Sequence, residues 1–147
     1  VASTPEGKVK DKAKLLYKQH GAKYDRAVMT GMGQNGRADD LVCRSPDGHF
    51  GGVEFKRDNV WKVSALQRVW LQDTERCGGS SMVVNLTNLD MLGQWLSAPG
   101  WRVNAVFNDK DTCTHHVARC HGHPDVEIKN PQLAPGKDRA SRAKARP

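Results

Sequence analysis

Two short apolar runs, "DDLVC" at residues 39–43 and "HFGGVEFK" at 49–56, are separated by "RSPDG", and this arrangement limits the fold more than any other part of the chain. Proline presets φ for a turn and glycine tolerates positive φ, so Pro46-Asp47-Gly48 folds the two runs onto each other as a β-hairpin. "VSALQRVWLQDTERCGG" follows, with Ser64 as N-cap, Gln67 three residues on and Gly78-Gly79 at the end, the punctuation of a helix. "SSMVVNL" is then a buried strand, "NLDMLGQWLSAPG" a short helix stopped by Pro99 and Gly100, and "WRVNAVF" a last strand.

Upstream, "STPEGKVKDKAKLLYKQHG" places Thr4 as N-cap, Pro5 at the first helical position, Glu6 in the first turn and Gly21 beyond the end. Val9, Ala13, Leu16 and His20 fall on one helical face with Glu6. "KYDRAVMT" reads as a first strand and "GMGQNGR" as a mobile Gly-rich loop. The predicted order is α-β-β-β-α-β-α-β, an α/β fold with a mixed central sheet flanked by helices. No internal repeat is visible, so solenoids and propellers are excluded.

Beyond Phe107 the apolar pattern stops. The expected layout is a domain over 1–110, a His/Cys-rich extension over 111–130, and a flexible basic tail over 131–147 that has too few large apolar side chains to fold alone. The chain has 147 residues and 37% hydrophobic content, enough for one modest core. Its net charge is +7, and Lys137, Arg139, Arg142, Lys144 and Arg146 in the tail supply most of the excess. Those five are candidate contacts to a polyanion such as DNA. No apolar run approaches the ~18 to 20 residues of a membrane span, and no signal-peptide core is present. Four scattered cysteines point to reduced thiols and a cytoplasmic setting rather than a disulfide scaffold.

Strand alternation in "GGVEFK" sends Val53 and Phe55 to the core and Glu54 and Lys56 to the opposite side. Asp39, on the preceding strand, can then lie beside Glu54. Two carboxylates with the Phe55 backbone carbonyl make an oxygen-rich site for a hard ion such as Mg²⁺. Such an ion activates water and polarises a phosphodiester, and Lys56 can orient the water or meet the developing charge. The commoner fate of Glu-x-Lys is an exposed charge pair worth ~0.2 to 1 kcal/mol.

Taken in order, "TPEGKVK", "GMGQNGRADDLVC", "GGVEFKRD" and "KVSALQRVWLQDTERCGGSSMVV" give the region from Pro5 to Asn85 a specific character. It resembles the VRR-NUC (virus-type replication-repair nuclease) domain of the PD-(D/E)XK nuclease superfamily, as found in stand-alone phage proteins. The resemblance implies a restriction-endonuclease-like fold, dependence on Mg²⁺ or Mn²⁺, cleavage of branched DNA such as four-way junctions or flaps, often homodimers, and for a phage protein a site in the host cytoplasm. It also implies Asp39 and Glu54 as metal ligands, Lys56 as catalytic lysine, Gln67 as a helix glutamine near the site, and Glu6 as an acid of the first helix. Ala38 stands where the family has proline, and Asp40 follows at once, so Asp39 and Asp40 are rivals for the ligand role; the motif position favours Asp39. Gln67 is equally explained as the partner of Ser64 in a capping box, and Glu6 as an acid at a helix N-terminus.

Glu-x-Lys recurs downstream in "HPDVEIKN", but only Val126 lies between Asp125 and Glu127, and no apolar run flanks it. It reads as a decoy on an exposed edge or loop. In "CTHHVARCHGH", Cys113, His115, Cys120 and His123 are candidate Zn²⁺ ligands, although the spacing fits no standard finger or ribbon. The leading expectation is an Mg²⁺-dependent endodeoxyribonuclease. The alternatives are a non-catalytic DNA-binding or assembly protein on the same fold and a small zinc-binding nucleic-acid module.

Overall fold

A computed structural model describes residues 4–27 and 36–131. The elements are α1 (Pro5–Gln19), β1 (Lys23–Arg26), β2 (Asp40–Cys43), β3 (Phe50–Phe55), α2 (Ala65–Arg76), β4 (Ser80–Val84), a 3₁₀ turn (Leu86–Asn88), α3 (Leu89–Leu96), β5 (Arg102–Phe107), β6 (Cys113–Arg119) and β7 (Val126–Lys129). All seven strands form one mixed sheet in chain order. β3, β4 and β5 run parallel, joined by the helices α2 and α3, while the other neighbours pair antiparallel.

The helices begin and end where their capping residues stand. The Thr4 hydroxyl accepts from the Gly7 N–H at 3.0 Å, and Ser64 and Gln67 form a complete capping box on α2. The buried face of α1 is Val9, Ala13 and Tyr17, with Leu16 half-buried; His20 is the C-cap rather than the end of the stripe.

Two cores sandwich the sheet. On one face α1 and α3 pack Val9, Tyr17, Leu92 and Trp95 against Val42, Val53, Phe55 and Met82. On the other, Leu71 of α2 joins Val83, Ala38, Trp61 and Val63. Gly52 is required here: a Cβ at that position would meet the Trp70 ring at 2.4 Å, so its absence lets α2 lie close on β3. That closeness sets the depth of the site.

The stretch 108–130 departs from expectation. It is no separate extension: β6 and β7 complete the sheet, and β6 pairs with β5 along its length. Its inward positions are Cys113 and His116 rather than large aliphatics, so the apolar alternation that marks a strand is missing. The His116 Nε2 accepts from the Val83 N–H at 3.1 Å, and its Nδ1 meets the Asn130 Oδ1 at 2.9 Å. The Asn130 amide in turn donates to the Cys113 carbonyl. Burial holds the imidazole neutral, with its pKa lowered to about 4. The expected first strand ends at Arg26; residues 28–35 of "VMTGMGQNGR" lie outside the described residues, as do the basic side chains of the tail, Lys137, Arg139, Arg142, Lys144 and Arg146.

Candidate active site

Asp40 pairs with Val53 in the hairpin, so Asp39, one residue earlier, stands opposite Glu54 where the two strands separate. Alternation then sends the two aspartates to opposite faces. Asp40 is fully buried on the α1 side, where it accepts from the Tyr17 hydroxyl at 2.8 Å and from two Arg26 nitrogens at 2.8 and 3.0 Å. Both of its oxygens are taken up by these donors, so it is an anchor. Asp39 faces the α2 side with its carboxylate a quarter exposed; its Oδ2 accepts from the Phe55 N–H at 2.8 Å. The geometry therefore places Asp39, and not Asp40, next to Glu54.

Glu54 is 3% exposed beneath α2. Its Oε2 accepts from the Gln67 side-chain amide at 2.8 Å and lies 3.6 Å from the Lys56 ammonium. Its Oε1 is buried with no hydrogen-bond partner among the described residues. A buried carboxylate oxygen left without a donor is costly and calls for a ligand. Burial, and then the Asp39 charge, push the Glu54 carboxyl up to about 8, while Lys56 pulls the other way. This is no exposed charge pair.

Gln67 serves both readings at once. Its Oε1 accepts from the Ser64 N–H at 2.9 Å, completing the cap, and its Nε2 reaches Glu54. The same Oε1 lies 3.4 Å from the Lys56 ammonium. Helix capping thus holds the glutamine in the rotamer that meets Glu54 and Lys56. Phe55 contributes its N–H to Asp39 and buries its ring in the α1 core. Glu6 is exposed in the first turn of α1 and makes no hydrogen bond or ion pair with Asp39 or Glu54.

One neighbour has no signal in the sequence. The Lys10 ammonium, from α1, stands 3.8 Å from the Asp39 Oδ1. It is one of several α1 lysines, and only the packing of α1 beside β2 singles it out.

A hard divalent cation fits this donor set. Two carboxylates from adjacent strands converge, one with a buried unsatisfied oxygen, and the site has the oxygen chemistry such ions prefer. The candidate zinc ligands are not brought together. Cys113 opens β6 and Cys120 follows its end, about 20 Å of extended chain apart. His115 contacts Thr114, and the His123 ring lies against Trp101. No group of three or more His, Cys, Asp or Glu side chains converges among the described residues. The second motif, Glu127-x-Lys129, lies on β7 at the sheet edge, exposed and without an ion pair among the described residues.

Neither a family model nor a curated protein matches this sequence. The fold is similar to a solved structure described as a VRR_NUC domain, with 27% sequence identity and a TM-score of 0.55, covering 63% of this chain and 97% of that one. The motif resemblance thus has a structural counterpart over essentially the whole of that domain.

Proposed function

We propose that this chain, which carries a VRR-NUC domain of restriction-endonuclease-like fold, hydrolyses phosphodiester bonds in DNA with the help of Mg²⁺ or Mn²⁺. The observation that supports this most is the buried, unpartnered Oε1 of Glu54 across from Asp39, with Lys56 and Gln67 on the same carboxylate. Asp39 and Glu54 would hold the ion, with the Phe55 carbonyl a third donor. When bound, it supplies Lewis-acid polarisation of the phosphate and a lowered pKa for water.

The protein's own groups divide the remaining work. The Phe55 N–H fixes one oxygen of Asp39, leaving the other, which faces Lys10, without a hydrogen bond among the described residues. Gln67 fixes one oxygen of Glu54 and accepts from Lys56, so that carboxylate and ammonium keep one relative geometry. Lys56, partly shielded, offers N–H donors to a phosphate oxygen as negative charge builds on it. α2 covers Glu54 from solvent, which strengthens each of these interactions.

The preferred substrate in this reading is branched DNA, four-way junctions or flaps, and a homodimer would place two sites on the two strands of a junction. Cleavage of four-way or flap DNA in preference to linear DNA by the purified chain with Mg²⁺, and its loss on chelation, is the expected result. Tight junction binding with no cleavage under Mg²⁺ or Mn²⁺ would overturn it in favour of a non-catalytic DNA-binding protein.

A further inference from the structure

We infer that Lys10 is a second substrate-binding cation of this site, one that contacts a DNA phosphate once a divalent ion occupies Asp39 and Glu54. The inference rests on the nuclease reading above and adds a residue that neither motif nor spacing marks.

Lys10 lies 3.8 Å from Asp39, an ion-pair distance that is too long for a hydrogen bond. Among the described residues its ammonium donates no hydrogen bond, so all three donors are open, and the side chain is 30% exposed. Its backbone, by contrast, is pinned. The Lys10 carbonyl accepts from the Arg26 Nη2 at 3.1 Å, and Arg26 is clamped by the buried Asp40, which Tyr17 also grips. A fixed helix turn thus presents, at the mouth of the carboxylate pair, an ammonium that is ion-paired to Asp39 but donates no hydrogen bond among the described residues.

Charge decides what that ammonium does. With both carboxylates ionised, as a bound cation requires, Lys10 and Lys56 offset Asp39 and Glu54. A bound divalent cation leaves the set with surplus positive charge and removes the attraction between Asp39 and Lys10. The nearest anion for the released ammonium is then the phosphodiester backbone. Lys56 is held by Glu54 and Gln67 and Lys10 stands at Asp39, so the two ammonium groups meet the pair through different carboxylates.

Lys10→Met in the full chain tests this with two measurements. Anisotropy of a labelled four-way junction in Ca²⁺, across a KCl series, should show severalfold weaker binding and a log K against log salt slope shallower by about one phosphate contact, roughly 0.9. Lys10→Arg should restore the wild-type slope. Mn²⁺ binding without DNA, followed by electron paramagnetic resonance, should become roughly three- to tenfold tighter in Lys10→Met, because a competing positive charge is gone. An unchanged salt slope overturns the inference and leaves Lys10 as a surface partner of Asp39. Wild-type protein that neither binds the junction in Ca²⁺ nor cleaves it in Mg²⁺ overturns the nuclease reading as well, so the two failures are distinct.

Discussion

Glu-x-Lys stands at the end of β3 and again in β7, and these two copies share almost nothing physical. Glu54 is 3% exposed, faces a second carboxylate, and keeps one oxygen without a partner. Glu127 stands on an edge strand in solvent, with no described side chain paired to it. The difference lies in the neighbours. β3 is interior, with β2 on one side, β4 on the other and α2 above, whereas among the described residues β7 has a strand on one side only. A motif acquires chemistry when the fold removes its water and leaves its valences unfilled.

The largest test of that contrast is catalytic. Glu54→Gln and Lys56→Met are each expected to lower four-way junction cleavage by about a hundredfold or more, the scale of losing a group that meets transition-state charge. Equal losses from the β7 pair would dissolve the distinction.

Acidity sharpens it next. Burial pushes the Glu54 carboxyl up to about 8 in the fold, against 4.5 for an ordinary glutamate. Its folded value is raised, so its contribution to stability is fully present below pH ~4.5 and is lost as pH rises through about 8. Metal-free protein should therefore lose thermal stability across that window, and Glu54→Gln should flatten the profile. Mg²⁺ competes with the proton, so its affinity should climb by up to about tenfold per pH unit towards pH 8. Isothermal titration at three pH values checks this.

Gln67 separates cap from site. Gln67→Leu is expected to reduce cleavage roughly tenfold through the loss of its bonds to Glu54 and Lys56, while Ser64→Ala should cost about 1 kcal/mol of stability with far less loss of activity. Urea melts beside cleavage rates distinguish the two.

The buried polar group beneath β6 supplies a second contrast with Glu54. Both ring nitrogens of His116 have partners, so this cluster is structural. Its folded pKa is depressed, so its contribution to stability is present above about 6.5 and is lost as pH falls towards 4. His116→Phe should destabilise by about 1 to 3 kcal/mol, the cost of stranding the Val83 N–H and Asn130, without changing the cleavage rate per folded molecule. The smallest effect belongs to the decoy: Glu127→Gln and Lys129→Met should leave cleavage within about twofold of the parent, as expected for exposed and unpaired charges.

Local signals were legible wherever chemistry is local. Thr4, Ser64 and Gly78 bound their helices because capping depends on a few adjacent residues, and Pro46-Asp47-Gly48 closes the hairpin for the same reason. Period-two alternation separated Val53 and Phe55 from Glu54, and Asp39 from Asp40. The strands β6 and β7 were not legible, because burial there is carried by Cys113, His116 and Asn130, whose polarity hides the pattern.

By itself, then, the sequence determined the hairpin, the helix limits and the one Glu-x-Lys that has an aspartate on a neighbouring strand. Alternation could state that Asp39 and Asp40 face opposite ways but not which way is which. That choice came from the packing of α1, whose Tyr17 and whose tie to Arg26 claim Asp40 and turn Asp39 towards Glu54. The burial of Glu54 and the approach of Lys10 also exist only in three dimensions. A side chain's partners, and hence its charge state, are set by elements distant in the chain, and local spacing carries no record of them.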